Sequence, residues 1–275
     1  MLDPSQFAHL SEEDYVKWTK RVTPQENDIV FSYEATLGRY AVIPKNFYGC
    51  LGRRLAIVRI INDELNAKWL YYYFRSPEWT SFIKNQTVKG STVDRISIEE
   101  FPEYTIPVIS LEDQNKIVDV LDKIDRKIAD NKKINDYLEQ QALLIFRYMF
   151  KNISNGSNHV GDYITPKRGK ALLSKDAIPG QFPVIAGGLL PATYHNRANT
   201  VAPVLTISGS GANAGYVNIW HDPIWSSDSS FIDYEMTTNV YFWYAFLKLR
   251  QQDIFDIQTG SAQPHIYPKH IAELS

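Results

Sequence analysis

Residues 111–149 contain neither proline nor glycine, and this 39-residue run constrains the fold more than any other part of the chain. Stepping by seven from Ile117 gives Ile117, Ile124, Asn131, Leu138 and Ile145; stepping by seven from Leu121 gives Leu121, Ile128, Asn135, Ala142 and Met149. The two rows alternate at spacings of four and three, the seam of a coiled coil, with two asparagine layers at its centre. Such a helix is roughly 50 Å long. Pro107 precedes it, and the Gly/Ser/Asn stretch at 151–159 suits its end. A stripe this narrow on a helix polar around most of its circumference requires a second helix. Asn131 and Asn135 are costly in an ordinary core but fix register and partner choice in a seam. The chain offers no second helix of this kind, so the partner is expected from another copy or another protein.

On either side of the helix the sequence repeats a plan. Residues 28–44 and 204–220 each read as strand, glycine-containing turn, strand. Aromatic-rich, helical stretches follow at 67–76 and 238–249. Each half then reaches a Gly-Ser phrase, "KGSTVDRI" at 89–96 and "TGSAQPHI" at 259–266, after which a strand is expected. A constant offset of 170 sets residues 71–101 on 241–271 without a gap, matching Tyr71 with Tyr241, Gly90 with Gly260, Ser91 with Ser261 and Ile96 with Ile266. The order of these matches implies an internal duplication. The second copy has a long lead-in, 160–199, where the first has a short one.

The composition is that of a globular protein, 44% hydrophobic and 22% charged. A single cysteine, Cys50, excludes an intramolecular disulfide. With no apolar run of membrane-spanning length and no secretory pattern at residues 1–21, the expectation is a cytoplasmic protein without a membrane partner. The net charge of −2 is low for a protein that grips phosphate unaided. No catalytic pattern stands out. "DPIW" at 222–225 lacks the second proline of an amino-methyltransferase motif, and "DRK" at 125–127 lies on the long helix without a second carboxylate. There is no phosphate-binding glycine loop, and the six His and one Cys lack zinc-site spacing.

Several segments together resemble the specificity subunit of type I restriction-modification systems. They are "GDYITPKRG", "FPVIAGG", "LTISGSGANAGYV" (205–217), "IWSSDSSFI" (224–232), "TGSAQPHI" and "IPVISLEDQNKIVDVLDKIDRKI" (106–128). The resemblance implies an α+β fold with two target-recognition domains, each reading one half of a split DNA sequence, separated by a coiled-coil spacer helix. Residues 1–107 are then a first recognition domain without its N-terminal half. Residues 108–153 are the spacer, and 154–275 a second recognition domain without its following helix. The implied partners are double-stranded DNA, methylation subunits, restriction subunits, and a second specificity chain that supplies the missing helix. The implied role is non-catalytic, with S-adenosylmethionine, ATP and Mg bound by partner subunits and no cofactor on this chain. The alternative is a truncated fragment or recombination-cassette product that acts by pairing with another specificity subunit and is inactive alone.

Direct readout needs polar side chains on loops that reach base edges. In the second domain the candidates are Lys167, Arg168, Asn196, Arg197, Ser210, Asn213, Ser227, Asp228, Gln263 and His265. Gln263, Asn213 and Asn196 suit bidentate pairing with adenine, and Arg197, Arg168 and Lys167 suit guanine or phosphate. In the first domain Arg39, Thr92, Asp94 and Arg95 occupy comparable places.

Overall fold

The structure is a computed structural model describing residues 8–89, 93–152, 156–260 and 262–275. The fold is α+β, and the chain divides into two compact units, residues 1–133 and 134–275. The dividing point lies within the longest helix rather than at either of its ends.

In the first unit a short helix α1 (Glu12–Trp18) precedes strands β1 (Ile29–Ser32), β2 (Tyr40–Val42) and β3 (Leu55–Val58). The three form one antiparallel sheet with β1 in the middle. Helices α2 (Ala67–Tyr73) and α3 (Pro77–Gln86) follow, each started by a side-chain cap, Asn66 and Ser76 respectively. The sequence makes this core aromatic: Phe31, Trp69, Phe74 and Trp79 are all buried among Ile29, Leu70, Ile83 and Ile96. Next to the sheet, Asp28 is 2% exposed and is satisfied by a fork from Arg59 at 2.7 and 2.8 Å and by the Gln25 amide at 2.7 Å.

Helix α4 (Leu111–Met149) is 39 residues, about 58 Å at 1.5 Å per residue. Ser110 caps it through the Asp113 amide. Its first half is fastened to the first unit by polar groups. Gln114, fully buried, accepts from the Asn66 amide at 2.8 Å and donates to the carbonyls of Glu64 and Ile109 at 2.9 and 2.8 Å. One turn on, Val118 enters the core; beyond it Lys68 meets Asp122 at 2.7 Å, and Tyr72 donates to Asp125 at 3.2 Å.

The Lys68 hydrogen bond, helped by the charges of Lys68 and Arg126, holds the Asp122 carboxyl below the ordinary aspartate value of 3.8. A depressed folded value contributes stability above the unfolded value and loses it as pH falls through the folded one. Asp122→Asn is therefore expected to lower the thermal midpoint near neutral pH and to converge on the parent in acid. A deficit that stays constant from pH 7 down to pH 2 would mean the charge plays no part.

In the second unit the main sheet runs β4 (Lys167–Arg168), β10 (Ser229–Asp233), β7 (Val204–Ser208), β8 (Val217–Trp220), all antiparallel. Helices α5 (Val240–Leu249), α6 (Gln251–Asp256) and α7 (Pro268–Ala272) follow in the chain, and Leu205, Ile207, Val217 and Ile232 pack with Val240, Leu247, Ile254 and Ile271 in the core. A second sheet, β6 (Thr193–His195), β5 (Phe182–Ile185), β9 (Trp225–Ser226), is built from the long lead-in and the segment after β8. Ile185 of β5 meets Val204, Ile224 and Phe231 in a smaller cluster. Hence β7 and β10 are buried along their whole length and do not alternate.

The second half of α4 packs within this unit. Phe146 and Phe150 lie 5.4 and 5.9 Å from the Phe242 ring, and Glu139 accepts from Tyr244 and faces Lys248 at 3.8 Å. Burial, then the Glu139 carboxylate, push the Tyr244 phenol up.

Candidate nucleic-acid interface and helix seam

The two units repeat one piece of backbone in detail. Strand β1 corresponds to β7, β2 to β8 and β3 to β10, with the same central strand and the same antiparallel neighbours. At the hairpin, Ser32 donates to Arg39 at 3.0 Å and receives from Gly38 at 3.1 Å; Ser208 donates to Tyr216 at 3.0 Å and receives from Gly215 at 2.8 Å. Inside it, the Ala35 amide reaches the Asp94 carbonyl at 3.1 Å, as Gly211 reaches Pro264 at 3.0 Å. Ala35 and Gly211 share a left-handed backbone, φ 65° and 82°. Ile96 donates to Tyr33 at 2.8 Å and Ile266 to Gly209 at 3.0 Å, and both isoleucines are buried. Hence the glycine turn and the end of the phrase, residues 94–96 and 264–266, lie side by side at one end of the sheet in each unit, although more than 50 residues separate the bonded partners in sequence.

Val88 and Arg95 exchange both backbone hydrogen bonds at 2.9 and 3.1 Å, and Thr259 and His265 do so at 3.0 and 2.7 Å. The offset is thus 170 after the turn and 171 before it, a one-residue slip that the ungapped alignment hides. No strand follows either phrase; Arg95 and His265 make isolated bridges, to Glu34 and Val88 and to Ser210 and Thr259 respectively.

These contacts place the candidate residues. In the first unit Arg39, Asp94 and Arg95 are exposed at the end of the sheet where hairpin and phrase meet; Arg54 pairs with Glu34 there at 3.3 Å. Thr92 lies outside the described residues.

In the second unit Arg168, Ser210, Asp228 and His265 come together from four separate segments. The Arg168 guanidinium pairs with Asp228, whose other oxygen accepts from the Ser210 hydroxyl. The same guanidinium lies 5.8 Å from the centre of the Tyr267 ring, which stacks on His265 at 6.0 Å. Gly209 makes room for the group: a Cβ there would sit 2.5 Å from Arg168 Nη1 and 2.8 Å from Asp228 Oδ1.

Lys167 is exposed on β4 beside this group, and Gln263 is exposed on the phrase loop. Asn196 and Arg197 are exposed at the end of β6, on the other sheet. Asn213 is half-buried and its carbonyl closes the hairpin turn by accepting from Tyr216 at 2.9 Å. Ser227 is 6% exposed, and its hydroxyl is bonded to the Leu172 amide at 3.0 Å, so it ties the lead-in to the sheet rather than facing solvent. Tyr267 and Gly209 were not singled out in the sequence.

The α4 seam is bare. Ile117, Ile124 and Ile128 are 41, 51 and 49% exposed in the first unit, and Leu138, Ile145 and Met149 are 58, 60 and 68% exposed in the second. Asn131, Asn135 and Ala142 are exposed as well, and Leu121 is half-buried. Val120, Ile134 and Tyr148 widen the stripe at 57, 52 and 68% exposure. The helix packs into its units through a different face, Gln114, Val118, Asp122 and Asp125 in one and Glu139 and Phe146 in the other.

Residues 7–140 match the type I restriction modification DNA specificity domain. The match identifies this stretch, just under half of the chain, as a type I restriction-modification specificity domain. Two curated specificity subunits are similar. The type I restriction enzyme MjaIX specificity subunit of Methanocaldococcus jannaschii is 28% identical over 142 residues, 52% of this chain and 32% of its own length. The putative type I restriction enzyme specificity subunit S.HindORF215P of Haemophilus influenzae is 28% identical over 123 residues, 43% of this chain and 29% of its own length. The matched stretches thus span about a third of these relatives. Among solved structures, the S subunit of a type I restriction-modification system from M. genitalium superposes with a TM-score of 0.46 at 22% identity, over 92% of this chain and 71% of that one. The HsdS subunit from Thermoanaerobacter tengcongensis gives 0.33 at 13% identity, over 91% and 68%.

Among the described residues no three His, Cys, Asp or Glu side chains gather in a group fit to hold a metal ion. Among them, too, no helix is long and apolar enough to cross a membrane.

Proposed function

We propose that the chain is a DNA-sequence specificity component of a cytoplasmic type I restriction-modification complex, each unit reading one half-site of a split target. The observation that carries this reading is the duplicated end of the sheet, where the hairpin and the end of the phrase are hydrogen-bonded alike in both units of a chain with a specificity domain. Exposed polar side chains there suit base edges, and a rigid helix between two readers makes half-site spacing a matter of geometry. The chain acts without catalysis of its own; adenine methylation and cleavage belong to methylation and restriction subunits, which bind S-adenosylmethionine, ATP and Mg. Phosphate contacts come partly from those subunits, in keeping with a net charge of −2.

A second reading draws on the bare seam: the chain pairs through α4 with another specificity chain and is inactive until it does. Co-purification with the methylation subunit of its system, followed by mapping of methylated adenines on genomic DNA, tests both. A split methylated sequence is expected. Assembly without methylation favours the second reading, and absence of assembly with any methylation subunit overturns the first.

A further inference from the structure

We propose that Asp228 is a positioning residue for Arg168: it fixes the guanidinium and cancels its charge, so that this end of the second unit selects base edges rather than attracting phosphate. The inference rests on the DNA-reading function proposed above. Its structural basis is that the group is assembled, not incidental. Arg168 comes from the edge strand β4, Asp228 from the turn before β10, Ser210 from the hairpin after β7, and Tyr267 from the segment after the Gly-Ser phrase. Gly209 is the residue whose missing side chain lets the pair close.

Two contacts restrain the guanidinium and a third restrains its partner. Asp228 takes it on one edge, Tyr267 lies 5.8 Å away, and Ser210 holds the carboxylate from the far side. Guanidinium has five donors in a fixed fork, and its bond to one carboxylate oxygen uses only one of them. Both side chains are 38% exposed, so the group is open to a large ligand. An unpaired arginine in this place adds a sequence-independent phosphate contact, which strengthens binding to every duplex equally. A paired one keeps its directed donors and loses the long-range attraction. That distinction suits a chain with 29 Lys and Arg against 31 Asp and Glu, in which discrimination cannot rest on a surplus of positive charge.

The test uses the full chain in complex with its methylation subunit. A random-sequence duplex pool is first enriched for sequences bound by the parent. Affinity for the enriched duplex and for a scrambled one is then measured between about 50 and 200 mM salt. Asp228→Asn keeps the shape and frees one cation. It is expected to tighten binding to the scrambled duplex, to steepen the logarithmic salt slope by about 0.9, and to narrow the ratio between the two duplexes. Arg168→Lys keeps the charge and loses the fork; its slope stays near the parent's while the ratio falls about tenfold or more. An exposed ion pair contributes little to folding, so both variants are expected to melt with the parent. Unchanged slope and ratio in Asp228→Asn, or an unchanged ratio in Arg168→Lys, overturns the role of the pair while DNA reading stands. If the parent enriches no sequence, the DNA-reading function fails first, and the inference with it.

Discussion

Trp79→Ala is expected to destabilise the first unit by about 3–5 kcal/mol, the largest single effect on folding in the chain. The side chain is 1% exposed and sits at the centre of an aromatic group, with ring centroids of Phe74 at 4.6 Å, Phe82 at 5.3 Å, Tyr73 at 5.7 Å and Phe101 at 6.0 Å. Rings this large and rigid cannot collapse into the space left by an indole, so the cavity persists. The indole also donates from Nε1 to the Tyr40 hydroxyl at 2.8 Å, and burial pushes the Tyr40 phenol up. Removal of the donor costs about 1–3 kcal/mol if that oxygen finds no other partner. Trp79→Phe separates the two contributions, because it restores much of the volume and none of the hydrogen bond. Denaturant unfolding followed by near-ultraviolet circular dichroism is expected to rank the parent above Trp79→Phe and Trp79→Ala lowest, with the transition of the second unit unmoved. Equal stability of the two variants would assign the whole loss to the hydrogen bond and none to packing.

The long helix, its apolar stripe, the two strand–turn–strand hairpins and the aromatic helices could all be read in the sequence, because each is written in local periodicity or in turn residues. What escaped depends on partners distant in sequence. Gln114 looks like any polar residue of a helix; its importance comes from carbonyls at Glu64 and Ile109 and an amide at Asn66. Ser227 looked like a reader because serines abound in "SSDSS", but the lead-in segment at Leu172 covers it. Arg168 and Asp228 were both candidates, yet nothing local tells that residues 60 apart neutralise each other. The repeat was visible through Gly90 and Ile96 and their counterparts, while its one-residue slip was not, since a loop absorbs an extra residue without disturbing the flanking bridges. The hairpin illustrates the same limit. Ala35 holds the left-handed position that Gly211 fills in the other unit, so of the turn's two left-handed positions only the later one, Gly38 and Gly215, is announced by a shared glycine.

Charging the seam is expected to abolish assembly without unfolding the chain. If the partner of α4 is a second copy, two-fold antiparallel pairing about Lys133 sets Ile117 against Met149, Leu121 against Ile145, Ile124 against Ala142, Ile128 against Leu138, and Asn131 against Asn135. Every layer is then apolar with apolar or amide with amide, and the flanks bring Val120 to Tyr148, Lys127 to Gln141 and Ile134 to itself. Parallel pairing in register also matches the asparagines, but it places Lys127 against Lys132 on both flanks. The charges on the opposite flank, Asp125 and Glu139, already face Arg75 at 3.5 Å and Lys248 at 3.8 Å. The antiparallel pair has one lysine contact of like charge, Lys132 with its own copy, where the parallel pair has two, so charge favours the antiparallel pair. Ile128→Asp with Leu138→Asp puts four carboxylates into two layers of such a dimer, one on either side of the asparagines, each costing several kcal/mol, so the dissociation constant rises by well over about 100-fold. Both positions are about half exposed in the single chain, so its melting is expected to change little. Light scattering is expected to find a parent dimer and a variant monomer. In a background of Cys50→Ser, Leu121→Cys mixed with Ile145→Cys is expected to form a disulfide that neither forms alone, because positions 121 and 145 are about 36 Å apart along one helix. Self-linking of each variant would instead mean parallel helices, and a parent that stays monomeric at every concentration would leave the seam to a different protein.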